Sequence, residues 1–407
     1  MPTLFQINVV ANSGSTGRIA EELGRLVITA GWNSYIAYGR WACPSQSHLI
    51  RIGKKSDNIC HAIKSMLFDH HGLGSKRATR KLIIEIEKIK PDVIHLHNIH
   101  GYYVNYEILF KYLAAVSIPV VWTLHDCWSI TGHCTHFQNI GCEKWISECM
   151  NCPNKNEYPK SLFRDNSRAN YKKKKQLFNS VNDITIIPVC NWLDEIISKS
   201  FLVSAERQVI VNGVDLDVFT PLKKRSLLKN KIGVYSKFMI LAVATVWGVS
   251  KGFYDIKLLS SLISEDDVIV VVGLSSIQIK ELPDNIIGIE RTENIKQLVE
   301  LYSAADVFIN PTYQDTLPTV NMESLACGTP VITYDTGGCK DIVDPNTGII
   351  LERGNLYSLL ESIKYIKKRG KSSYIANCRQ RALCYFNKSE RYKDYLTLYT
   401  QLISRRK

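Results

Sequence analysis

Short apolar runs alternate with amphipathic stretches along most of the chain. In the first half, continuous apolar runs predict strands at residues 4–10, 34–38, 92–96, 119–124 and 184–189. In the second half, similar runs predict strands at residues 238–246, 268–273, 286–289, 307–310 and 330–334. Helical spacing fills the intervals, beginning with a helix from about residue 18 to 29. Strands without polar alternation, separated by helices, are typical of parallel sheets covered on both faces. The pattern therefore predicts an α/β protein with two parallel sheets.

The two series of strands are separated by a segment with the chemistry of an interdomain connection. Asn212 and Gly213 are followed by Pro221 and a basic run at residues 223–225. We place the domain boundary near residue 220, which gives an N-terminal domain at 1–220 and a C-terminal domain at 221–371. The last segment, 372–407, is amphipathic, and we expect a helix there that crosses back to the first domain. Residues 127–180 are rich in Cys, Asn, Lys and Pro, which predicts an insertion in the first domain.

Length and composition agree with two folded domains. The chain has 407 residues, of which 45% are hydrophobic and 22% charged, and this balance excludes a disordered protein. No apolar run reaches the length needed to cross a bilayer, and the first apolar run lacks a basic leader. We therefore expect a cytoplasmic protein. The formal net charge of +13 indicates an acidic partner, such as nucleic acid, anionic lipid or a phosphorylated substrate, without choosing among them.

Polar residues follow the predicted strands of the first half, at the edge of the sheet where ligands of α/β proteins bind. A loop after the first strand presents backbone N–H groups and a helix start to an oxygen-rich ligand, and consists of Ser13, Gly14, Ser15, Thr16 and Gly17. His97 and His125 end two later strands, where an imidazole can donate to a sugar hydroxyl or to a phosphate. His95 lies inside its strand and is expected to be a core residue.

The second half has a denser arrangement of candidate residues. Lys251 stands beside Gly252 after a strand, where its ammonium can approach a diphosphate. Further along, Asp315 and Glu323 bracket a loop and helix start whose backbone amides can hold a diphosphate; these residues are Thr316, Leu317, Pro318, Thr319 and Val320. In this interpretation Glu323 accepts hydrogen bonds from ribose hydroxyls, and Asp315 accepts them from a transferred sugar.

With this segment the sequence resembles glycosyltransferase family 4. The resemblance rests on several ordered motifs: residues 13–17, His125 with Asp126, 212–215, Lys251 with Gly252, 303–308 and 323–330. It implies the GT-B architecture, in which two Rossmann-like domains with parallel sheets face a central cleft. It also implies a retaining glycosyltransferase that moves a sugar from a UDP- or GDP-sugar to a glycan or a lipid-diphosphate-linked acceptor, in polysaccharide or cell-surface glycan biosynthesis, with no cofactor required for catalysis.

The resemblance also implies roles for individual residues. The catalytic residues would be His125, Lys251, Asp315 and Glu323. The donor would be bound by Gly14, Gly17, Lys251, Arg291, residues 316–320 and Glu323, and the acceptor by Ser13, Ser15, Thr16 and His97. This sequence departs from the family pattern twice: Asp315 replaces a glutamate, and residues 245–250, just before Lys251, contain no arginine. We expect Arg291 to supply the missing charge from a neighbouring loop.

Four cysteines of the predicted insertion are spaced like metal ligands. Cys134, Cys142, Cys149 and Cys152 predict a structural zinc site, with unliganded thiols as the alternative. Basic residues at 160–175, extended by those at 64–81, predict docking on an anionic membrane where a lipid-linked acceptor is found.

Two other functions remain open at this point. A sugar-nucleotide epimerase or a phosphorylase could use the same architecture. A zinc-containing nucleic-acid-binding protein is disfavoured, because the basic residues are not interleaved with stacking aromatics and the segment 315–330 would stay unexplained.

Overall fold

The computed structural model describes residues 1–406, which form two compact units. The first unit comprises Met1–Ile210 and the described residues from Tyr392 onward, and the second comprises Val211–Arg391. The sequence predicts a division near residue 220, and the structure places it after Ile210.

Each unit alternates strands with helices. The elements of the first part of the chain are β1 (Thr3–Asn8), α1 (Gly14–Thr29), β2 (Asn33–Tyr38), β3 (His48–Arg51), α2 (Lys55–Phe68), α3 (Lys76–Ile89), β4 (Val93–Leu96), α4 (Tyr106–Ala115), β5 (Val120–Leu124), α5 (Lys144–Ser147), α6 (Ser167–Phe178), β6 (Ile184–Pro188), α7 (Asn191–Ser198) and β7 (Glu206–Arg207). Those of the remainder are α8 (Arg225–Lys231), β8 (Phe238–Val243), α9 (Phe253–Ser260), β9 (Asp267–Val272), α10 (Ser276–Lys280), β10 (Ile286–Ile289), α11 (Ile295–Ala304), β11 (Val307–Asn310), α12 (Thr319–Ala326), β12 (Val331–Tyr334), α13 (Cys339–Ile342), β13 (Gly348–Leu351), α14 (Leu356–Arg369), α15 (Ile375–Tyr385) and α16 (Lys388–Ser404).

The first unit is built on a seven-stranded parallel sheet in the order β3-β2-β1-β4-β5-β6-β7. Strand β1 pairs with β2 on one side and with β4 on the other, with Leu4 opposite Val93. Every residue of β1, β4, β5 and β6 is buried, because helices cover both faces of the sheet. The strand order reverses between β1 and β4, so the loops after these strands diverge and leave a crevice at the carboxyl edge.

The second unit has a six-stranded parallel sheet in the order β10-β9-β8-β11-β12-β13. Its order reverses between β8 and β11, whose register pairs Val307 with Ile240 and Phe308 with Leu241. Strand β9 reads Asp-Val-Ile-Val-Val-Val and is buried throughout, as expected for a strand covered on both faces. The predicted fold of two parallel sheets is confirmed.

Several helices begin at an asparagine that caps the first turn. The side chains of Asn105, Asn294 and Asn355 accept hydrogen bonds from the backbone N–H three residues later, at the starts of α4, α11 and α14. These caps satisfy amides that have no partner inside a helix, and they define where each helix begins.

The last helix changes units along its length. From Tyr392 onward, α16 belongs to the first unit, and its buried side chains join a core cluster that includes Leu4, Leu23 and Val93. Those helix residues are Tyr392, Tyr395, Leu398, Tyr399 and Leu402. The core beside β1 and β4 is therefore completed by residues that are distant in sequence.

Candidate active site

The loops after β8 and β11 meet at the carboxyl edge of the second sheet, because these strands are parallel neighbours. The backbone N–H of Tyr313 donates to the carbonyl of Ser250 at 2.9 Å, and the Thr312 hydroxyl donates to the same carbonyl at 3.2 Å. These bonds fasten the two loops together. They bring Lys251 of the first loop beside Asp315 of the second.

Lys251 and Asp315 form an ion pair at this edge. The Lys251 Nζ lies 2.6 Å from Asp315 Oδ2 and 3.3 Å from the Gln314 carbonyl. The two side chains keep 32% and 23% of their surface exposed, so a ligand can reach both. An ammonium with three donors can hold its carboxylate partner and still donate to a phosphate oxygen.

Two glycines allow this close approach of loops. Gly252 has φ of +71°, and a Cβ there would lie 2.1 Å from the carbonyl oxygen of Pro311. Gly337 has φ of +53°, and a Cβ there would lie 2.0 Å from the carbonyl oxygen of Asp315. Both positions need a left-handed backbone and no side chain, so both glycines determine where Lys251 and Asp315 stand.

Helix α12 begins directly after the Asp315 loop. Pro318 precedes the helix, and Thr319 and Val320 at its start are half-buried. The first N–H groups of a helix lack intrahelical partners and carry a partial positive charge, which suits a phosphate. The Asn310 amide donates to Asn321 Oδ1 at 2.9 Å and ties this helix start to the end of β11.

Glu323 lies one turn into α12 and is held by a buried tyrosine. Its Oε2 accepts a hydrogen bond from the Tyr302 hydroxyl at 2.9 Å. Burial, together with the charge of Glu323, raises the pKa of Tyr302, so this tyrosine remains a donor. The carboxylate is half-buried and keeps acceptor capacity for further hydroxyl groups.

Arg291 occupies a different part of the same sheet edge. It is exposed and follows β10, the edge strand, which β9 separates from β8. The structure thus brings Lys251, Asp315 and residues 316–318 onto adjoining loops and Glu323 into the helix that follows, while Arg291 stands two strands away from Lys251.

In the first unit, the histidines after β4 and β5 form a hydrogen-bonded series. His97 Nε2 lies 3.0 Å from Gln6 Oε1, and His97 Nδ1 lies 3.4 Å from His125 Nε2. His97 is only 1% exposed, and burial lowers its pKa well below the usual value. The direct acceptor contact predicted for His97 is therefore not supported by its burial, since the ring contacts protein on both nitrogens and orients His125.

His125 is the half-buried end of this series and lies next to Asp126. Burial lowers the pKa of His125 to about 4, although the charge of Asp126 opposes the shift. Burial alone would raise the pKa of Asp126, but the charge and hydrogen bond of His100 outweigh it and lower the value to about 2. At neutral pH the site holds a neutral imidazole beside an ionised carboxylate.

Sequence reasoning missed His100, whose Nε2 lies 2.7 Å from Asp126 Oδ2. The other oxygen of Asp126 accepts from the backbone N–H of Trp128 at 2.8 Å, so the carboxylate is fixed on both sides. His97, His100, His125 and Asp126 line one pocket. The signal was available, because His100 follows His97 by three residues after the same strand end.

The loop after β1 lies at the same sheet edge. Helix α1 begins at Gly14, and both Gly14 and Ser15 are exposed. Thr16 is positioned by the Asn8 side chain, whose Nδ2 lies 3.3 Å from Thr16 Oγ1. Gly17 is buried, and a Cβ at this position would lie 2.9 Å from the Val10 side chain, so the site has no room for a larger residue. Within the predicted loop, the exposed Gly14 and Ser15 and the half-buried Ser13 can therefore contact a ligand.

A second missed feature adjoins this loop. The Ala11 N–H donates to the carbonyl of Trp41 at 3.2 Å, which places Trp41 beside the start of the loop. The Trp41 ring is 53% exposed, and the Arg40 guanidinium carbon lies 4.6 Å from its centroid. The exposed indole and the guanidinium beside it offer an apolar ring face and a positive charge at the carboxyl edge of the sheet.

The predicted zinc site is not supported by the arrangement of the thiols. Cys134, Cys142, Cys149 and Cys152 line one small pocket. However, no group of three or more His, Cys, Asp or Glu side chains among residues 1–406 is placed to hold a metal ion. Instead, the Cys134 thiol donates a hydrogen bond to Cys152 and lowers the pKa of Cys152.

Sequence comparisons relate both halves of the chain to known families. Residues 16–218 match the family described as Glycosyltransferase Family 4, and residues 256–382 match the family described as Glycosyl transferases group 1. The glycosyl transferase WcaC of Escherichia coli strain K12, named for colanic acid biosynthesis, is 22% identical over 98% of this chain and 100% of its own. A D-inositol 3-phosphate glycosyltransferase of Nocardiopsis dassonvillei is 31% identical over 36% of this chain and 38% of its own.

Solved structures share the fold over almost the whole chain. A sucrose-phosphate synthase from Thermosynechococcus elongatus has a TM-score of 0.75 at 16% identity and covers 99% of this chain and 100% of its own. HepE from Anabaena, solved in complex with UDP, has a TM-score of 0.68 at 13% identity and covers 98% of this chain and 100% of its own.

Proposed function

Because the chain belongs to glycosyltransferase family 4 and has the GT-B fold, we propose that it moves a sugar from a nucleotide-diphosphate donor to a glycan or lipid-diphosphate-linked acceptor. The proposed transfer retains the anomeric configuration and serves the synthesis of a surface polysaccharide. The observation that carries the proposal is the Lys251–Asp315 pair, which stands where the strand order of the second sheet reverses. The name of WcaC supports the polysaccharide context.

The donor would be held by the second unit. Lys251 and the start of α12 supply positive charge for the diphosphate, and Glu323 offers acceptors for ribose hydroxyls. Asp315, whose side chain is 23% exposed, would accept a hydrogen bond from a hydroxyl of the transferred sugar while it positions Lys251. The UDP complex of HepE supports a nucleoside-diphosphate sugar as the class of donor.

Catalysis would consist mainly of stabilising the leaving group. As the bond between the anomeric carbon and the β-phosphate oxygen breaks, negative charge grows on the diphosphate, and the Lys251 ammonium lies ready to meet it. The acceptor hydroxyl attacks the sugar from the face that the diphosphate leaves. Its proton passes to the departing phosphate oxygen, so the products are the glycoside and the nucleoside diphosphate.

The acceptor would lie on the first unit. His125 is a neutral donor at physiological pH because burial lowers its pKa to about 4, and Asp126 is ionised beside it. The Trp41 ring and the exposed loop at Gly14 and Ser15 adjoin the same edge of the sheet. These groups match a sugar or a phosphorylated carrier, which presents hydroxyl groups, anionic oxygens and apolar ring faces.

The test is donor binding followed by transfer. Purified protein is heated with UDP, GDP, ADP or CMP and their sugars, and the melting temperature is compared for the wild type, Lys251→Ala, Glu323→Ala and the control Lys280→Ala. Lys280 is an exposed lysine of the same unit at the end of α10. We expect one nucleoside diphosphate to raise the melting temperature of the wild type and the control, by mass action, and not that of Lys251→Ala.

The transfer reaction is then followed with the selected donor. Loss of the Lys251 ammonium is expected to lower kcat by about 10²- to 10³-fold, the usual cost of a removed transition-state donor. NMR of the first product determines whether the anomeric configuration is retained. Absence of any nucleotide-dependent shift would refute the proposal. Turnover of the donor to an epimer or a sugar phosphate without an acceptor would replace it with an epimerase or a phosphorylase.

A further inference from the structure

Helix α2 turns a row of apolar side chains to solvent. Ile59, Ile63 and Met66 are spaced by four and three residues, so they lie on one face of the helix, and they are 51%, 45% and 36% exposed. Phe68 at the end of the helix is 40% exposed. Single exposed apolar residues are common on protein surfaces, but an aligned row of this size marks a binding surface.

A loop after the cysteine-rich segment extends this row. The Leu162 N–H donates to the carbonyl of Met66 at 2.8 Å, and Asn166 Nδ2 donates to the carbonyl of Phe68 at 2.6 Å. Leu162 and Phe163 are 43% and 74% exposed. We call the six side chains of this continuous surface the α2 patch: Ile59, Ile63, Met66, Phe68, Leu162 and Phe163.

The α2 patch is bordered by cations that have no acidic partner. Lys64, Lys160 and Arg164 are exposed, and within residues 1–406 none of them forms an ion pair. The Arg164 guanidinium carbon lies 5.7 Å from the centroid of the Phe68 ring, so its charge stands directly over the patch. An apolar face with a fringe of basic residues is the pattern of an interfacial helix.

The basic run predicted at 160–175 is less uniform than its sequence. Lys174 is buried, donates to the carbonyls of Trp128 and Thr131, and stands 3.5 Å from the Trp128 ring centroid. Arg168 and Lys172 pair with Glu148, and Lys173 pairs with Glu107. Within residues 160–175, the exposed cations that form no ion pair are therefore Lys160, Arg164 and Lys175, and the first two lie beside the patch.

We propose that the α2 patch docks the enzyme on an anionic lipid bilayer. The apolar side chains enter the headgroup boundary, and Lys64, Lys160 and Arg164 contact lipid phosphates. Among the helices described here, none is both long and apolar enough to cross a membrane, so the patch would provide peripheral attachment. The inference deepens the proposed function, on which it rests for its purpose, because a bilayer is where a lipid-diphosphate-linked acceptor is found.

The test is flotation of the full chain with lipid vesicles and no sugar substrate, which separates it from the test of transfer. Vesicles of phosphatidylglycerol and phosphatidylcholine are compared with vesicles of phosphatidylcholine alone. We expect binding only to the anionic vesicles. Removing two large apolar side chains, in Ile63→Ser with Phe163→Ser, is expected to weaken binding by about tenfold or more. Removing two cations, in Lys64→Gln with Arg164→Gln, is expected to weaken it by about fivefold per cation.

The matched control lies on α10 of the second unit, where Ile277 is 73% exposed and Lys280 is exposed. The double variant Ile277→Ser with Lys280→Gln is expected to float like the wild type, and circular dichroism verifies that all variants fold. Equal binding of the patch variants and the wild type would overturn the proposal, as would binding to neutral vesicles alone or no flotation. A wild-type dimer that the patch variants convert to a monomer, without flotation, would assign the surface to a second copy and also overturn it.

Discussion

Hydrogen bonds hold the ring of His61 in a single protonation state. Its Nε2 accepts from the backbone N–H groups of Gly72 and Gly74, both at 3.1 Å, and its Nδ1–H donates to the Ser75 hydroxyl at 2.9 Å. A proton on Nε2 would break both bonds to the glycines. Burial, with a smaller contribution from the charge of Lys64, lowers the pKa of His61 to about 4.

Stability should therefore decrease in mild acid. Between pH 6.5 and about 4 the unfolded chain binds a proton at His61 that the folded chain does not, so the free energy of unfolding falls as the pH decreases through this window. The expected contribution is on the order of 2 kcal/mol at pH 5. Urea unfolding of the wild type and of His61→Gln at pH 7.5 and pH 5 measures it. The variant should be less stable at pH 7.5 and closer to the wild type at pH 5, whereas a parallel pH dependence would contradict the prediction.

Trp41 provides a separate test of the acceptor surface. Replacing this half-exposed indole with alanine should raise the KM for the acceptor by about tenfold, because an apolar stacking surface is lost. The shift in melting temperature caused by the donor should stay unchanged. Steady-state kinetics with varied acceptor measures the effect. Tyr357→Ala, which removes a 73% exposed aromatic from the second unit, is the control. An equal effect of both substitutions on acceptor KM would count against the role of Trp41.

The sequence predicted where some residues lie in the fold and not where others lie, for physical reasons. Lys251, Asp315 and Glu323 follow strand ends in a recognisable order, so their neighbourhood was predictable from topology. Trp41 was not, because its place beside Ala11 depends on pairing between loops far apart in sequence. The strand pattern also does not reveal that both ring nitrogens of His97 already contact protein.

At the level of elements, the turn from Val249 to Gly252 and the loop after β11 act as one structure. Their contact requires Gly252, whose left-handed backbone faces the Pro311 carbonyl at close range. Helix α12 follows from the second of these loops, so a displacement of the turn moves the Lys251 ammonium relative to the start of the helix. The donor site is therefore sensitive to changes that remove no functional side chain.

Gly252→Ala should impair donor binding although it adds only a methyl group. The new Cβ would lie 2.1 Å from backbone, which must shift, and φ of +71° is strained for alanine. We expect a loss of about 1–3 kcal/mol in the free energy of unfolding and a loss of the nucleotide-dependent melting shift. Gly233→Ala is the control, since Gly233 has φ of +75° with no atom near its added Cβ. If both variants bind nucleotide like the wild type, close packing at Gly252 does not position Lys251.

The strands that the sequence did not predict share a property. Strand β3 is mostly exposed at one edge of the first sheet, and β7 at its other edge has two residues. Strand β13 lies at an edge of the second sheet and has only one fully buried residue. Edge strands are covered on fewer sides, so they need no continuous apolar run. The interior strands could be predicted because burial on both faces imposes that run.

At the scale of the whole molecule, the polar core of the first unit depends on the last helix. The Tyr399 hydroxyl lies 2.6 Å from His95 Nδ1, His95 Nε2 lies 2.8 Å from Thr123 Oγ1, and that hydroxyl lies 3.0 Å from the Tyr395 hydroxyl. All four side chains are buried. In this network, α16 supplies the hydrogen-bond partners of two buried side chains, His95 on β4 and Thr123 on β5.

Tyr399→Phe should destabilise the protein while it leaves packing almost unchanged. The substitution leaves His95 Nδ1 buried without its partner, at a cost of about 1–3 kcal/mol. Chemical unfolding, with Tyr385→Phe as a control at a 58% exposed tyrosine, measures the difference. Similar unfolding free energies for the two variants would mean that the buried hydroxyl of Tyr399 contributes no more to stability than the solvent-exposed hydroxyl of Tyr385.

The return of α16 to the first unit also sets an order of events during synthesis. When the ribosome has completed β7, the strands β1, β4 and β5 exist, but the aromatic residues that cover them have yet to be translated. At about 5–20 residues per second, the whole second unit must emerge first, which takes roughly ten seconds or more. During that interval His95 and Thr123 face water or a chaperone. We therefore expect the nascent first unit to be exposed to aggregation and proteolysis during this interval.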